Sequence, residues 1–313
     1  MKAAQINRYG GPEVIEINPD APKPAIKDNQ VLVEVHTTSI NPFDAKLRAG
    51  YARDYIQLQF PATLGGDFAG NVKEVGKQAN DFKIGDEVFG SASIANGGSG
   101  SFAELAAANT INIAQKPKSA DFIQAAALPL VGSSTIQALE EHAKLKSKQK
   151  ILIHGGAGGI GHVAIQLAKA LGAYVATTVG GDDINFVKQL GAVEVINYKT
   201  QKFEEILKDF DAVYDTVGGE TTDRSFIVLK RGGVLVSMLG QPNPDLVRKY
   251  GVIGIGQGTK TNTKHLTRLA ELVDSGKIKV NVDKVFPLDQ AKEAFIHQEL
   301  GHPRGKVVIQ IKD

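Results

Sequence analysis

The order of apolar and polar positions divides the chain into a strand-rich part and a part in which strands alternate with helices. Before about residue 120, segments such as 31–37 alternate apolar and polar side chains, as half-buried strands do. Between about 122 and 255, segments of helical periodicity separate short apolar runs at 151–153, 174–178, 193–196, 212–214 and 234–239. We therefore predict an α/β protein with a mostly antiparallel β domain and a doubly wound parallel sheet.

The same pattern predicts where these domains begin and end. We place the first domain at 1–121, the parallel-sheet domain at 122–258 and a C-terminal segment at 259–313. The segment contains one candidate helix, 264–275, and two candidate strands, 280–286 and 307–311. Because the chain shows no internal repeat, we expect this segment to return and complete the first domain.

Composition narrows the choice of partners and compartment. The 313 residues carry a net charge of +2 without a run of Lys or Arg, which disfavours nucleic acid as a partner. No apolar run reaches the about 18 residues that a membrane span needs, and the first residues lack the apolar core of a signal peptide, so we expect a cytoplasmic protein. The chain has no cysteine, which excludes disulfides, thiolate zinc sites and a cysteine nucleophile.

A glycine-rich segment gives the strongest functional signal. Gly156, Gly158 and Gly161 fill a G-x-G-x-x-G frame between the apolar run 151–153 and a helical pattern that continues to residue 171. Such glycines allow a sharp turn, bring backbone N–H groups against a pyrophosphate and let the helix pack closely on the strand. The segment predicts a dinucleotide site that also includes Gly159 and Ile160, with a purely structural glycine turn as the alternative.

Several further motifs carry a resemblance to a known family. They are segments 41–50 (Asn-Pro-Phe-Asp-Ala-Lys-Leu-Arg-Ala-Gly), 64–70 (Leu-Gly-Gly-Asp-Phe-Ala-Gly), 126–129 (Ala-Ala-Leu-Pro), 190–192 with 196–198, and 304–308 (Arg-Gly-Lys-Val-Val). With the glycine segment, they resemble the zinc-free medium-chain dehydrogenases/reductases of the quinone oxidoreductase (zeta-crystallin-like) group over essentially the whole length. The resemblance implies a GroES-like catalytic domain interrupted by a Rossmann domain, and NADPH-dependent reduction of quinones, enones or alkenals by a dimer.

The chain departs from the zinc alcohol dehydrogenases of the wider superfamily. Those enzymes carry a metal-binding histidine near the position of Gly66, where this chain has Gly66-Asp67. Its seven histidines show no ligand-type pairing with carboxylates, and we interpret them as surface or locally satisfied residues. We therefore expect no metal. Without a Lewis acid, conjugate reduction is favoured over alcohol oxidation, because the arriving negative charge spreads over an enolate or hydroquinone.

The resemblance places the catalytic groups in the loop between residues 39 and 55. Asn41 resembles the family's active-site asparagine beside the nicotinamide ribose and substrate, although an Asn-Pro turn is the alternative. Lys46 lies where relatives carry a tyrosine or lysine facing the cleft, and it would stabilise the enolate oxygen unless it is only a solvated helix residue. Tyr51 is either a proton donor or an aromatic wall. Thr135, after a turn at 129–132, approaches the nicotinamide by resemblance, or belongs to a helix cap.

The preference for NADPH over NADH depends on the end of the second strand of the parallel sheet. NAD-selective sites place a carboxylate there, whereas this chain has Thr177-Thr178-Val179-Gly180-Gly181. The Thr178 hydroxyl and the N–H groups of Gly180 and Gly181 are candidates for binding a 2′-phosphate, and Tyr198 resembles a tyrosine near the adenosine. The basic residue that NADPH-selective relatives carry next is replaced by Asp182-Asp183, so the strength of the preference stays open and NADH remains an alternative. Val217 and Leu239 complete the candidate cofactor site.

Two classes of function follow from these observations. The first is an NADPH-dependent reductase of quinones or α,β-unsaturated carbonyls. The second is a nucleotide-responsive binding or sensor protein, with RNA among its conceivable ligands. The polar residues expected at the nicotinamide end favour catalysis. The apolar, uncharged segment 251–256 would lie at the edge of the parallel sheet, and we therefore expect a homodimer.

Overall fold

The computed structural model describes residues 1–312, which divide into two compact units. Unit 1 contains Met1–Ser133, Thr261–Ser275 and the chain from Val280 onward, and unit 2 contains Ser134–Lys260 and Gly276–Lys279. In chain order, the strands are β1 (Ala3–Ile6), β2 (Ile15–Asn18), β3 (Gln30–Ser39), β4 (Ala62–Thr63), β5 (Asp67–Val75), β6 (Glu87–Ser91), β7 (Leu105–Asn109), β8 (Ile113–Gln115), β9 (Lys150–His154), β10 (Tyr174–Val179), β11 (Glu194–Asn197), β12 (Phe210–Asp215), β13 (Leu229–Ser237), β14 (Ile253–Gly256), β15 (Val282–Pro287) and β16 (Lys306–Gln310).

The helices lie between these strands in the sequence. They are α1 (Pro42–Arg48), α2 (Phe122–Ala126), α3 (Pro129–Ile136), α4 (Gly159–Ala170), α5 (Ile184–Leu190), α6 (Phe203–Ile206), α7 (Glu220–Ser225), α8 (Pro244–Tyr250), α9 (Thr263–Asp274) and α10 (Ala291–Leu300). No helix within residues 1–312 combines the length and the apolar character that crossing a bilayer requires.

Unit 1 contains two sheets, in which most strand pairs are antiparallel. The larger, seven-stranded sheet has the order β15-β16-β3-β5-β6-β8, with β7 also paired to β3, and the smaller sheet has the order β2-β1-β4. Alternate residues of β3 face one side, and Val31, Val33 and Val35 pack there in a core with Phe68 and Val72. The register sets Thr38 beside Phe68, and Ser39 beside Val308. The carboxyl end of β3 therefore lies next to the first residues of β5 and β16.

Unit 2 is built around a six-stranded parallel sheet with the order β11-β10-β9-β12-β13-β14. Its central strand β9 buries Ile151, Leu152 and Ile153 completely, as an apolar run in a parallel sheet should. The strand order reverses between β9 and β12, and in such sheets ligands bind outside the carboxyl ends of the strands at the reversal. The predicted fold class, a Rossmann sheet with a mostly antiparallel GroES-like domain, is confirmed.

One local prediction is wrong, and others miss an element's ends by a few residues. Residues 129–132, interpreted as a turn, form the first turn of α3, because proline is well accommodated at the start of a helix. The strand expected at 234–239 runs from Leu229 to Ser237. The helix predicted at 184–190 is confirmed as α5, and its end is fixed by Gly191, whose φ of 118° favours glycine.

Candidate functional site

The glycine turn of unit 2 connects β9 to α4, and the three glycines of its G-x-G-x-x-G frame have different surroundings. A Cβ at Gly161 would lie 2.7 Å from the Cα of Gly156 and would also strike the Gly155 carbonyl. A Cβ at Gly156 would strike the Thr177 hydroxyl, with the Thr177 Cβ 3.1 Å away. At Gly158, the nearest atom would be the Gly155 oxygen at 3.4 Å, an ordinary contact. Gly156 and Gly161 are thus needed for packing, whereas Gly158 leaves open space above the turn.

The first turn of α4 presents backbone donors to that open space. Gly158 is the N-cap, and Gly159 and Ile160 begin the helix. The first N–H groups of a helix have no intrahelical acceptor, and the helix dipole adds partial positive charge there. No acidic side chain lies in this turn. The donors therefore suit a pyrophosphate, and the residues present fit the dinucleotide that the motif predicts.

Val217 and Leu239 follow the carboxyl ends of β12 and β13, with Val217 beside the glycine turn and Leu239 beside Gly218. The buried Asp215 carboxylate accepts the Val217 and Gly218 backbone N–H groups at 2.9 and 3.1 Å and so fixes the loop. A Cβ at Gly155 would lie 3.4 Å from Val217 Cγ2, and one at Gly218 would lie 2.7 Å from Leu239 Cβ. Both side chains are about half exposed, at 53% and 48%. They provide apolar surface next to the turn, where a flat ring could pack.

The Thr178 hydroxyl has a partner within the protein, the ring of His154. Burial lowers the pKa of His154 to about 4, so the ring is neutral and has one N–H. Ser225 Oγ donates to the Thr221 carbonyl at 2.6 Å and therefore accepts from His154 Nε2 at 2.9 Å. His154 Nδ1 must then accept from the Thr178 hydroxyl, at 3.0 Å. The hydroxyl hydrogen therefore faces His154 in this arrangement, and the phosphate contact of Thr178 stays a prediction.

A basic residue that the sequence interpretation missed lies next to the Gly180-Gly181 pair. The position of a Cβ at Gly180 is 3.9 Å from the Lys199 ammonium and 3.8 Å from the Tyr198 hydroxyl. The Tyr198 N–H donates to the Val179 carbonyl at 3.1 Å, which continues the pairing of β11 with β10. Lys199, two residues beyond the end of β11, is thus a basic side chain close to the end of β10. The lysine is visible in the sequence Asn197-Tyr198-Lys199. Only the pairing of β10 with β11 shows that its side chain lies next to Gly180.

Thr135, predicted to approach the nicotinamide, is completely buried in α3. Within residues 1–312, its Oγ1 has no hydrogen-bond partner. A buried hydroxyl of this kind calls for an explanation, and a ligand that completes its hydrogen bonds is one. The neighbouring Ser134 hydroxyl is instead paired with Thr259 Oγ1 at 2.5 Å.

Unit 1 contains a buried polar cluster that holds the Asn41 side chain from both ends. Asn41 Nδ2 donates to Asp67 Oδ2 at 2.8 Å, and the Asn41 Oδ1 accepts from the Lys306 ammonium. Lys306 also donates to the Ile40 carbonyl at 2.8 Å, and its ammonium lies 3.8 Å from Asp67 Oδ2. Ser39 Oγ donates to the same oxygen at 3.2 Å. The orientation of the Asn41 amide is therefore fixed, and one of its two N–H bonds remains for another acceptor.

Asp44, in the first turn of α1, completes this cluster. Its carboxylate accepts the Asn41 backbone N–H at 2.8 Å, and Asn41 is the N-cap of the helix. Burial raises the pKa of Asp44 to about 7 and also raises that of Asp67, while burial lowers the pKa of Lys306. Asp44, Asp67 and Lys306 are site residues that the sequence alone does not reveal, although each lies in one of the family motifs.

Lys46 lies in α1 and Tyr51 lies three residues after the end of this helix, and both side chains are exposed. They line a cavity of about 440 Å³ within unit 1, together with Gly10, Gly11 and Arg48. Asn41 is not among the residues that line this cavity. The structure thus brings two of the three predicted catalytic residues together and places the third in a separate, buried cluster.

Two histidines show how these side chains are satisfied. His297 Nε2 lies 2.7 Å from Asp283 Oδ2, which is a single pair and not a group of metal ligands. His154 is locally satisfied, as expected. Throughout residues 1–312, no three histidine or carboxylate side chains come together as a metal site would require.

Two family models match separate parts of the chain. Residues 27–118 match the alcohol dehydrogenase GroES-like domain, and residues 190–309 match a model described as zinc-binding dehydrogenase.

Curated relatives and solved structures match almost the full length. The chain is 34% identical to a chloroplast envelope quinone oxidoreductase homolog of Arabidopsis thaliana, over 99% of this chain and 98% of that protein. It is also 34% identical to the NADPH-dependent alkenal/one oxidoreductase, chloroplastic, of the same plant, over 99% of this chain and 79% of that protein. The quinone oxidoreductase from Coxiella burnetii has a TM-score of 0.92 at 36% identity, covering 100% of this chain and 99% of that one.

Proposed function

Because this chain belongs to the zinc-free medium-chain dehydrogenases/reductases of the quinone oxidoreductase group, we propose that it reduces quinones or α,β-unsaturated carbonyls with NADPH. The observation that carries the proposal is the glycine turn between β9 and α4, whose backbone donors face open space. Bound NADPH supplies the hydride for the reaction. The residues of the chain bind the cofactor, orient the acceptor and stabilise the charge that arrives on it.

Within unit 2, several of the predicted cofactor residues have surroundings that support a role in binding. The N–H groups of Gly159 and Ile160 hold the pyrophosphate. Val217 and Leu239 pack against a flat ring of the cofactor, and the buried Thr135 hydroxyl donates to or accepts from a polar group at the nicotinamide end. NADH would make the same contacts, so these residues alone do not determine which nicotinamide is preferred.

Within unit 1, Asn41 orients the substrate or the ribose through its remaining N–H bond. Asp67 and Lys306 prevent the amide from rotating, because each accepts from or donates to one end of it. A donor held in place before the reaction needs no reorganisation when negative charge develops, which is the origin of most electrostatic catalysis. Asp67 and Lys306 are positioning residues in this scheme.

Lys46 is the proposed electrostatic partner of the enolate oxygen, and proton delivery by water or by Lys46 completes the reduction. Lys46→Ala should lower kcat/KM for an enone by about tenfold to a thousandfold, the scale for one lost oxyanion donor. Quinone reduction should fall less, because a quinone accepts charge more readily. Affinity for NADPH, measured by calorimetry, should stay unchanged. Lys77→Ala removes another exposed lysine of unit 1 and serves as the control.

Tyr51 is the alternative for this role, since it lines the same cavity. If Lys46→Ala leaves both reactions intact while Tyr51→Phe abolishes them, the two roles are reversed. That outcome would leave the reductase assignment in place.

We further propose that the protein is a homodimer that pairs through β14. This strand is the last in the sheet and is paired only with β13, and Ile253 on it is 53% exposed. An apolar edge strand without charges invites pairing with a second copy of the chain.

A further inference from the structure

The region just beyond β10 is built by residues that belong to two strands. β10 and β11 run parallel, with Val179 opposite Asn197, and the Tyr198 N–H extends the pairing by donating to Val179. The residues after Asn197 are therefore held next to Gly180, the residue after Val179.

Three hydrogen-bond donors converge on the Gly180-Gly181 pair. A Cβ at Gly180 would lie 3.7 Å from Lys199 Cε, 3.9 Å from its ammonium and 3.8 Å from the Tyr198 hydroxyl. A Cβ at Gly181 would lie 3.1 Å from Asn197 Nδ2. Since both residues are glycine, neither of them places a side chain between these donors.

The loop that carries the donors is fixed by its own hydrogen bonds. Asn197 Oδ1 accepts the Lys199 N–H at 3.1 Å, and the Asn197 carbonyl accepts the N–H groups of Thr200 and Gln201 at 3.0 and 2.9 Å. Within residues 1–312, the Lys199 ammonium makes no ion pair, whereas Asp182 and Asp183 both have interaction partners. The region beside Gly180 and Gly181 therefore combines an ammonium without an ion-pair partner, two neutral donors and the room left by two glycines. This combination suits a phosphate dianion.

We propose that Lys199 is the residue that distinguishes NADPH from NADH, by pairing with the 2′-phosphate in the space beside Gly180. The Tyr198 hydroxyl and the Asn197 amide add neutral donors to the same phosphate. This assignment rests on the proposed function, because it presumes that a nicotinamide dinucleotide binds across the glycine turn. It replaces the Thr178 hydroxyl, which faces His154.

The test measures binding directly, by isothermal titration calorimetry of the full chain with NADPH and NADH. A charge-assisted hydrogen bond contributes about 1.5 to 3 kcal/mol, which corresponds to about tenfold or more in affinity. Lys199→Met should therefore raise the Kd for NADPH at least about tenfold and change the Kd for NADH less than about twofold. Lys199→Arg, which keeps the charge, should recover most of the lost affinity.

Lys202→Met is the matched control. Lys202 lies three residues further along the same loop, is exposed and is paired with Glu205 at 3.0 Å. Its loss removes an equal charge from the same region without removing the proposed contact, so the Kd for NADPH should stay within about twofold. Melting temperatures of all variants show whether the fold is retained.

The dependence of dinucleotide affinity on salt concentration tests the same contact independently. The NADPH affinity of the unaltered protein should fall more steeply with ionic strength than its NADH affinity, because only NADPH brings a charge to Lys199. In Lys199→Met the two slopes should converge.

The outcomes separate this inference from the proposed function. If the unaltered protein binds neither dinucleotide, the proposed function fails. If it binds both equally, or prefers NADPH to the same degree with and without the Lys199 charge, the Lys199 assignment is overturned and the nicotinamide chemistry stands. A loss of NADPH affinity as large in Lys202→Met as in Lys199→Met would also overturn it.

Discussion

The glycine turn of unit 2 and the Asn41 cluster of unit 1 are constructed in opposite ways. The turn uses backbone N–H groups, and Gly156 and Gly161 are required because a side chain there would have no space. The cluster instead uses buried side chains, with the Asp67 and Lys306 charges locked around one amide. A site made of backbone is sensitive to added volume and indifferent to pH, whereas a site made of buried charges is sensitive to lost partners and to protonation.

The largest effect should follow from removing one charge of the cluster. Lys306→Met leaves Asp67 buried without its cation, and breaking a buried pair in this way lowers the free energy of unfolding by about 3 to 5 kcal/mol. Denaturant unfolding measures the loss. Adding Asp67→Asn to the same chain should recover much of it, since the uncompensated charge is gone.

An exposed pair supplies the control. Lys202 and Glu205 are both about two-thirds exposed, and Lys202→Met should change the stability by less than about 1 kcal/mol. If Lys306→Met and Lys202→Met lowered the free energy of unfolding equally, the buried cluster would contribute no more to stability than an exposed ion pair.

The second prediction concerns pH. Burial raises the pKa of Asp44 from 3.8 to about 7, so the folded protein holds a proton that the unfolded chain releases between these values. The contribution of protonated Asp44 to the free energy of unfolding is fully present below about pH 4. It decreases as the pH rises and is lost above about pH 7. The change should be on the order of a few kcal/mol. Asp44→Asn should remove most of this slope.

Asp67 and Lys306, the charged neighbours of Asp44, also affect how stability depends on pH. Burial raises the pKa of Asp67 in the same sense and lowers the pKa of Lys306. The difference between the unaltered protein and Asp44→Asn, taken at each pH, isolates Asp44. A stability difference that is constant from about pH 5 to pH 8 would contradict the prediction.

The third prediction separates packing from binding within the glycine turn. Gly161→Ala places a methyl group against the Gly155 backbone and should lower stability by about 2 kcal/mol even without cofactor. Gly158→Ala has room and should melt like the unaltered protein, but it should bind NADPH more weakly because its methyl group occupies the phosphate side. Thermal unfolding and calorimetry together test both statements, and identical behaviour of the two variants would show that the glycines share one role.

The smallest effect is expected at the edge of the parallel sheet. Ile253→Lys should weaken the proposed dimer by about tenfold, because it adds charge to an edge strand. Ile227→Lys changes a similarly exposed residue of unit 2 outside β14 and is the control. Sedimentation at several protein concentrations measures the association, and a monomer at micromolar concentration in the unaltered protein would refute the dimer.

The comparison also explains which features the sequence could reveal. The glycine turn occupies one contiguous segment, so its spacing and its flanking periodicity were sufficient to predict it. In the cluster, Asn41 is 26 residues from Asp67 and 265 from Lys306. Only the pairing of β3 with β5 and β16 brings these residues together. This pairing cannot be predicted from the sequence pattern of any single segment.

The direction of side chains is the other feature that the sequence does not predict. The position of Thr178 at the end of β10 was predictable, but its hydroxyl turns to His154, which is 24 residues away. Lys199 was missed for the same reason, because its proximity to Gly180 depends on how β10 and β11 pair. Local periodicity predicts elements, whereas partners across strands depend on the whole sheet.

The central claim, hydride transfer from NADPH without a metal, is tested most directly by following NADPH oxidation in chelator-treated protein. The acceptors are a panel of quinones and a panel of enones and alkenals. We predict rapid oxidation with at least one acceptor, at a rate that chelation does not change. NADPH binding without turnover of any acceptor would contradict this claim and favour a nucleotide sensor, and activity lost to the chelator but restored by zinc would contradict the metal-free mechanism.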